Sequence, residues 1–224
     1  MKNNIKYIII GILALGMFAC QDQTDIYEGF VKSSSNKVYP GKVLNPVSYS
    51  GKNRIKIEVL TPGDPSVKEA RVFWNFFTDS ISVPVTETNK LMEVLMDNMP
   101  ENTYSLVIKT YDVNGNISVP VEVFGTSYGT NYEKLISNRE LISAVPNLVT
   151  GTLTLEFGTA DISNGAVETQ IKYMNSSDAE VIATLLASEK TITITDYKSG
   201  GEFSTIFLPN ATCIDTFSTD WSSI

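Results

Sequence analysis

Histidine is missing from the whole chain of 224 residues, and this absence narrows its possible chemistry. Serine or cysteine nucleophiles paired with histidine, histidine-containing zinc sites and the usual general base near neutral pH are excluded. A hydrolase would have to use carboxylates, as glycosidases do. No pair of acidic residues follows a pattern that places it across a cleft. We therefore expect a protein that is not an enzyme and that has no resident metal or cofactor.

Cysteine is scarce, and acidic residues outnumber basic ones. The chain has 2 cysteines, Cys20 and Cys213. Because Cys20 has another predicted role, no intrachain disulfide is expected and the hydrophobic core must hold the fold. Cys213, in an apolar-flanked stretch, is expected to be a buried small hydrophobe. The formal net charge of −8 disfavours nucleic acid as a partner, since that needs clustered Lys and Arg.

The apolar stretch at the N-terminus, residues 8–15, is too short for an ordinary membrane span. It follows Lys2 and Lys6 and precedes Cys20, which predicts a bacterial secretion signal over residues 1–19. The position of Cys20 resembles a lipobox, although Met17 stands where that motif prefers leucine. A lipobox implies that Cys20 is lipidated and anchors the mature chain to a membrane. An uncleaved anchor helix or a soluble secreted protein is the alternative.

Residues 20–36 are polar and contain three consecutive serines, which predicts a lipidated, flexible tether. Asp22 and Asp25 follow the cysteine closely. In lipoproteins of Bacteroidota, acidic residues at this place resemble a signal for export to the outer face of the outer membrane. The expected location is therefore the outer membrane, at its periplasmic or cell-surface face.

Residues 37–125 follow the pattern of short strands separated by turns. Ile55, Ile57 and Val59 alternate with polar residues, which is typical of a half-buried strand. The same alternation recurs in further short segments at 70–74, 81–85, 92–96, 104–108 and 119–123. Strands of this length with frequent turn signals predict a β-sandwich domain.

A local motif makes this prediction more specific. Residues 99–104, MPENTY, resemble the Leu-x-Pro-Gly-Thr-x-Tyr corner of fibronectin type III domains. In that corner the tyrosine ring, here Tyr104, packs in the core while its hydroxyl reaches back to upstream backbone. Residues 112–120 resemble the hairpin between the last two strands of the same fold, where Asn and Gly supply positive φ. This hairpin explains its Asp-x-Asn-x-Asn spacing without a calcium ion.

The rest of the chain repeats the β pattern more loosely. Residues 126–142 form a junction, and residues 143–224 are expected to form a second β-sandwich-like domain. The fold class expected is therefore all-β, with two tandem immunoglobulin/fibronectin type III-like sandwiches after a lipoprotein signal peptide. Residues 181–188 fit a short helix or a strand, and Gly200-Gly201 is expected to mark a tight turn.

Most of the chain resembles an uncharacterised lipoprotein family of Bacteroidota that carries a domain of unknown function. The resemblance rests on residues 27–29, 38–42 and 52–54 and on Tyr128, Gly129, Tyr132, Leu135, Asn138 and Arg139 in the junction. It implies a surface or periplasmic lipoprotein without an assigned activity, and it supplies no catalytic residue.

The segment Trp74-Asn75-Phe76-Phe77 places aromatic residues where polar turn residues would be expected. Exposed aromatic rings near a sandwich edge stack on pyranose rings in sugar-binding modules, or hold a partner protein. Trp74, Phe76 and Phe77 are therefore candidate ligand contacts, and Trp221 near the chain end is a weaker one. The alternative is that one of these rings folds under the loop and closes the core.

Asp79-Ser80-Ile81 resembles an O-glycosylation acceptor of Bacteroidota, which makes Ser80 a candidate modification site. Together these features favour a non-catalytic, lipid-anchored cell-envelope protein that serves as a binding or spacer module, with a polysaccharide as the candidate ligand. The alternative hypothesis is a structural, adhesin or assembly component whose exposed strand edge binds another envelope protein.

Overall fold

A computed structural model describes residues 38–224, so the predicted signal peptide, Cys20 and the whole tether lie outside the described residues. Pro40–Ile224 form one compact unit with an all-β, sandwich-like fold. Helices are few here, and none within residues 38–224 is long and apolar enough to cross a membrane.

The N-terminal lobe, residues 40–128, is a two-layered sandwich. Its strands are β1 (Leu44–Lys52), β2 (Arg54–Leu60), β3 (Val67–Trp74), β4 (Asp79–Pro84), β5 (Leu91–Asp97), β6 (Asn102–Asp112) and β7 (Val121–Tyr128). One layer has the strand order β5-β2-β1 and the other β4-β3-β6-β7, and the end of β1 pairs in parallel with β7. The alternating apolar residues of β2, β5, β3 and β6 enclose one core between the layers.

The predicted tyrosine corner is confirmed. The Tyr104 hydroxyl donates a hydrogen bond of 2.7 Å to the carbonyl oxygen of Pro100, and the ring is buried in the core. The hairpin that follows β6 is also present. Its Asp112 carboxylate accepts hydrogen bonds of 2.8 Å from the backbone N–H groups of Asn114 and Asn116. This carboxylate therefore holds the turn together.

The C-terminal lobe, residues 141–224, has the same order of strands. Its layers are β12-β9-β8 and β11-β10-β13-β14, with β15 also pairing with β13. A second core lies between these layers. A short helix, α1 (Thr130–Leu135), connects the lobes. The strands are β8 (Leu141–Asn147), β9 (Thr152–Phe157), β10 (Ala166–Asn175), β11 (Glu180–Leu186), β12 (Thr191–Ile194), β13 (Tyr197–Phe207), β14 (Phe217–Ser218) and β15 (Ser222–Ser223).

In the C-terminal lobe, one detail decides between two predictions and another corrects a prediction. Residues 181–186 form strand rather than helix, since β11 pairs along its length with β10, and residues 187 and 188 form a turn. The prediction of a tight turn at Gly200-Gly201 is wrong. Both glycines lie inside β13, where two residues face one residue of β10 between the pairs Lys172↔Glu202 and Met174↔Ser199. Their φ angles of 73° and 156° therefore belong to a β-bulge.

The segment between β13 and β14 contacts the N-terminal lobe. The Asp215 carboxylate accepts hydrogen bonds of 2.8 Å from the Nε of Arg54 and from the backbone N–H of Lys52. Next to this ion pair, the rings of Tyr132 and Phe217 meet edge-to-face at 4.8 Å. Burial raises the pKa of Tyr132 to about 12. Cys213 packs against the same apolar cluster and is half-buried rather than fully buried.

Candidate functional site

The connection between β3 and β4 has an unusual backbone. Asn75, Phe76 and Phe77 are consecutive and have φ angles of 48°, 56° and 67°. Residues other than glycine rarely adopt this left-handed region, because it costs about 1–2 kcal/mol of conformational free energy for each residue. The Thr78 hydroxyl donates to the carbonyl oxygen of Asn75 at 2.7 Å, and the Asn75 amide donates to Asp79 at 2.7 Å. These bonds hold the strained loop in one shape.

The loop carries its two phenylalanines outward. Phe76 is 100% exposed and Phe77 is 52% exposed. The Phe77 ring lies 5.4 Å from the ring of Phe73, which points from β3 to the same side. The Nζ of Lys109 on β6 lies 4.8 Å from the centre of the Phe77 ring. A cation therefore lies beside a pair of tilted aromatic rings.

A pocket of about 420 Å³ lies beneath this loop. Its volume is in the range of small-molecule sites, which is about 300–1,000 Å³. Both aromatic and polar groups line its walls. It is lined by residues of the loop and of strands β3, β6 and β7: Phe73, Trp74, Asn75, Phe76, Phe77, Asn102, Thr103, Tyr104, Ser105, Val107 and Glu122. We call these residues the hairpin pocket.

The structure brings three of the four aromatic candidates together. Trp74, Phe76 and Phe77 all line the hairpin pocket, although Trp74 also packs against the core. Trp221 lies in the C-terminal lobe, 40% exposed, with the Nζ of Lys172 at 4.6 Å from its ring. It therefore belongs to a different surface. Ser80 is exposed on β4 and lies directly opposite Phe73.

Other groups of the site escaped the sequence analysis. Glu122 of β7 accepts a hydrogen bond from the Ser105 hydroxyl and lines the pocket. The sequence pattern could have indicated Phe73, because an aromatic residue occupies an outward position in an alternating strand. No sequence pattern indicates Lys109 and Glu122, since only the pairing register of β3, β6 and β7 places them near the loop.

The pocket offers stacking surfaces and hydrogen-bonding groups rather than acid–base machinery. Glu122 is the single carboxylate among the residues that line it. Glycoside hydrolysis by the usual mechanism needs two carboxylates on opposite sides of the bond. Within residues 38–224, no cluster of three or more His, Cys, Asp or Glu side chains could hold a metal ion. The arrangement is therefore suited to binding.

Strand order and the tyrosine corner define the class of protein as an all-β sandwich of the fibronectin type III kind. A profile of the DUF4998 family, described as a domain of unknown function, matches residues 20–217. The chain belongs to this family. No curated protein matches it significantly.

Similar solved structures come from chicken proteins. A crystal structure of the CNTN1 FN1-FN3 domains has 11% identity and a TM-score of 0.47, over 83% of this chain and 65% of that chain. This chain thus spans just under two thirds of that structure. A two fibronectin type III domain segment from tenascin has 9% identity and a TM-score of 0.33, over 82% of this chain and 99% of that chain.

Proposed function

We propose that this protein is a non-catalytic, lipid-anchored component of the cell envelope that captures a glycan in the hairpin pocket. The observation that carries the proposal is the strained loop that holds Phe76 fully exposed above the pocket. A folded chain gains no packing from a ring in that position. Strain at an exposed aromatic residue is typical of a binding site.

The chemistry of the pocket suits a sugar ring. The apolar face of a pyranose can lie on the Phe76 and Phe77 rings, as other apolar groups lie on aromatic faces. Its hydroxyl groups can then meet the polar side chains at the floor of the pocket. Asn102 and Ser105 supply neutral groups there, and Glu122 supplies a charged acceptor. Polar groups that fix orientation within apolar walls are the usual composition of a ligand site.

A glycan panel in affinity electrophoresis tests this function. We expect retardation of the wild type on at least one polysaccharide and at least a tenfold weaker effect for the Phe76→Ala/Phe77→Ala variant, which corresponds to about 1.4 kcal/mol. Phe124→Ala is the matched control, since Phe124 is 66% exposed on β7 outside the hairpin pocket. Equal migration of the wild type and the double variant on every glycan would refute glycan capture.

We further propose the anchor and domain arrangement that the sequence predicts. Cys20 carries the lipid, residues 20–36 are the tether, and two tandem sandwich domains follow at 37–125 and 143–224. The recurrence of one strand order in both lobes supports two related domains. Labelled palmitate should enter the wild type and not the Cys20→Ala variant, and fractionation should move that variant out of the outer membrane.

A protein partner is the second candidate. Strand β8 is an edge of its sheet; Val145 within it is 60% exposed, and Leu148 and Val149 just after it are 73% and 97% exposed. Exposed apolar edges attract a strand from another chain. Cross-linking on intact cells should give one dominant product that disappears in the Val145→Lys variant. If glycan capture were the function, this substitution would leave the cross-linked products unaffected. Many weak products of equal yield would contradict this second function.

Modification of Ser80 stays a separate proposal. Its exposed position on β4 leaves the hydroxyl accessible. Intact mass measurement of the purified native protein should show an added glycan mass that is absent from Ser80→Ala. A native mass equal to that of the unmodified chain would exclude it.

A further inference from the structure

A buried arginine lies at one end of the C-terminal lobe. Arg139 is 4% exposed, and its backbone N–H donates to the Thr205 hydroxyl at 2.9 Å. Its Nε donates to the carbonyl oxygen of Gly158 at 2.6 Å, and its Nη2 donates to that of Glu189 at 2.5 Å. These bonds fix the guanidinium between the ends of β9 and β11.

Among the described residues, no counter-ion faces the charge of this guanidinium. None of the ion pairs within residues 38–224 includes Arg139, and its Nη1 is buried without any hydrogen-bond partner. Burial lowers the pKa of Arg139, and no carboxylate of the described residues offsets this effect. A buried cation and an unpaired N–H each cost free energy unless an acceptor reaches them. The site therefore favours an anion.

The same arginine lines an open pocket of about 580 Å³. The rim of this pocket is apolar: Ile162, Val167 and Leu186 are 71%, 39% and 53% exposed. Lys190 stands exposed beside them as a second positive charge. Exposed apolar side chains grouped around a concave surface mark a binding site rather than a random surface. The pocket thus combines apolar walls with positive charge.

We propose that this pocket binds a small organic anion in which a carboxylate is attached to an apolar body. A carboxylate oxygen supplies the acceptor that Nη1 lacks, and Lys190 adds a second favourable charge. The apolar body covers the rim formed by Ile162, Val167 and Leu186. This pocket acts independently of the hairpin pocket, which lies in the other lobe.

Octanoate and 1-octanol are the probes, since they share an apolar chain and differ in charge. They are titrated into the ¹⁵N-labelled mature chain while amide signals are followed by NMR. Octanoate should shift the signals of Gly158, Ala187 and Glu189 and bind at least about tenfold more tightly than 1-octanol. If both probes bind equally, or if octanoate shifts none of these signals, the proposal is wrong.

Variants separate the pocket from general charge effects. Lys190→Glu should weaken octanoate binding about tenfold, whereas Lys198→Glu, an exposed lysine of the same lobe outside the pocket, should not. Ile162→Asp should weaken binding similarly by repelling the carboxylate from the rim. Arg139→Gln should abolish the preference for octanoate over 1-octanol if it folds. If it does not fold, Lys190→Glu and Ile162→Asp decide the test. Their failure to weaken octanoate binding overturns the proposal.

Discussion

The two lobes share one strand order and secure it in different ways. In the N-terminal lobe the last strand, β7, is a continuous run of 8 residues that pairs with β6. In the C-terminal lobe its counterpart is split into β14 and β15, each of 2 residues. A split strand forms fewer ladder hydrogen bonds, so other groups must hold it.

A junction residue supplies the missing bonds. The Asn138 amide accepts a hydrogen bond from the Thr205 backbone N–H at 2.9 Å. It donates to the carbonyl oxygen of Asp220 at 2.8 Å and to the Ser222 hydroxyl at 2.7 Å. The amide thus links β13 to β15 and to the residues that connect β14 with β15. One lobe is closed by continuous backbone pairing, and the other by short stretches of backbone pairing to which side chains such as Asn138 add hydrogen bonds.

The tyrosines at the matching strand starts also differ. Tyr104 reaches 4 residues back to Pro100 and pins a sheet corner. Tyr197, at the start of β13, instead donates to the carbonyl oxygen of Gly200 at 2.9 Å, inside its own strand. The bulge at Gly200-Gly201 takes the place of the corner contact. The same topology therefore does not require the same local motif.

The largest effect should come from Asn138→Ala. Loss of this amide leaves several backbone and hydroxyl groups without partners, at a cost of about 3 kcal/mol. The chain has 2 tryptophans, with Trp74 in one lobe and Trp221 in the other, so backgrounds that keep only one tryptophan each report the urea unfolding of one lobe. The Trp221 transition should move to lower urea. Asn131→Ala, an exposed residue of α1, is the control, and an unchanged Trp221 midpoint in Asn138→Ala would contradict the comparison.

Asp215→Asn should have the next largest effect, of about 2 kcal/mol at neutral pH, since charge-assisted hydrogen bonds to Arg54 and Lys52 are lost. Hydrogen bonding to Arg54 lowers the pKa of Asp215 below its ordinary value of 3.8. Its stabilisation is therefore complete above that value and is lost as pH falls through the lower folded pKa.

Urea midpoints of the wild type and Asp215→Asn, measured at neutral pH and in strong acid, check this expectation. The two midpoints should converge in acid. Asp178→Asn is the control, because the exposed pair of Asp178 and Lys198 contributes little. Convergence that is equally strong for Asp178→Asn would show that net charge, rather than the contact between the lobes, is responsible.

Tyr104→Phe should destabilise the N-terminal lobe by about 1 kcal/mol, the net contribution of one hydrogen bond. The Trp74 transition reports this loss. Tyr197→Phe should have a smaller effect on the Trp221 transition, since its hydrogen bond is exposed. Equal losses in the two variants would mean that the corner contact has no special role.

The smallest effect, and one of opposite sign, is expected for Phe76→Gly. Glycine adopts the φ of 56° without strain, so stability should rise by up to about 1 kcal/mol. Binding of glycan should fall in the same variant. A loss of stability in thermal unfolding would show that the Phe76 ring supports the fold, and the binding interpretation of the loop would lose its basis.

Local signals predicted much of the N-terminal lobe. Alternation located the buried faces of β2, β3 and β6, and the motif before Tyr104 identified the corner, because these depend on neighbours within a few residues. The bulge at Gly200-Gly201 resembled a turn, since paired glycines permit both. The burial of Arg139 could not be foreseen, because its partners Gly158 and Glu189 lie 19 and 50 residues away along the chain.

By itself the sequence determined the all-β class, the strands of the first lobe and the aromatic loop after β3, since side-chain alternation and turn chemistry are local properties. Tertiary structure alone decided that Glu122 and Lys109 meet that loop, and that Arg139 is buried without a counter-ion from the part of the chain that the structure describes. The physical reason is register: which side chains share a surface depends on how distant strands pair, and local preference does not specify that pairing.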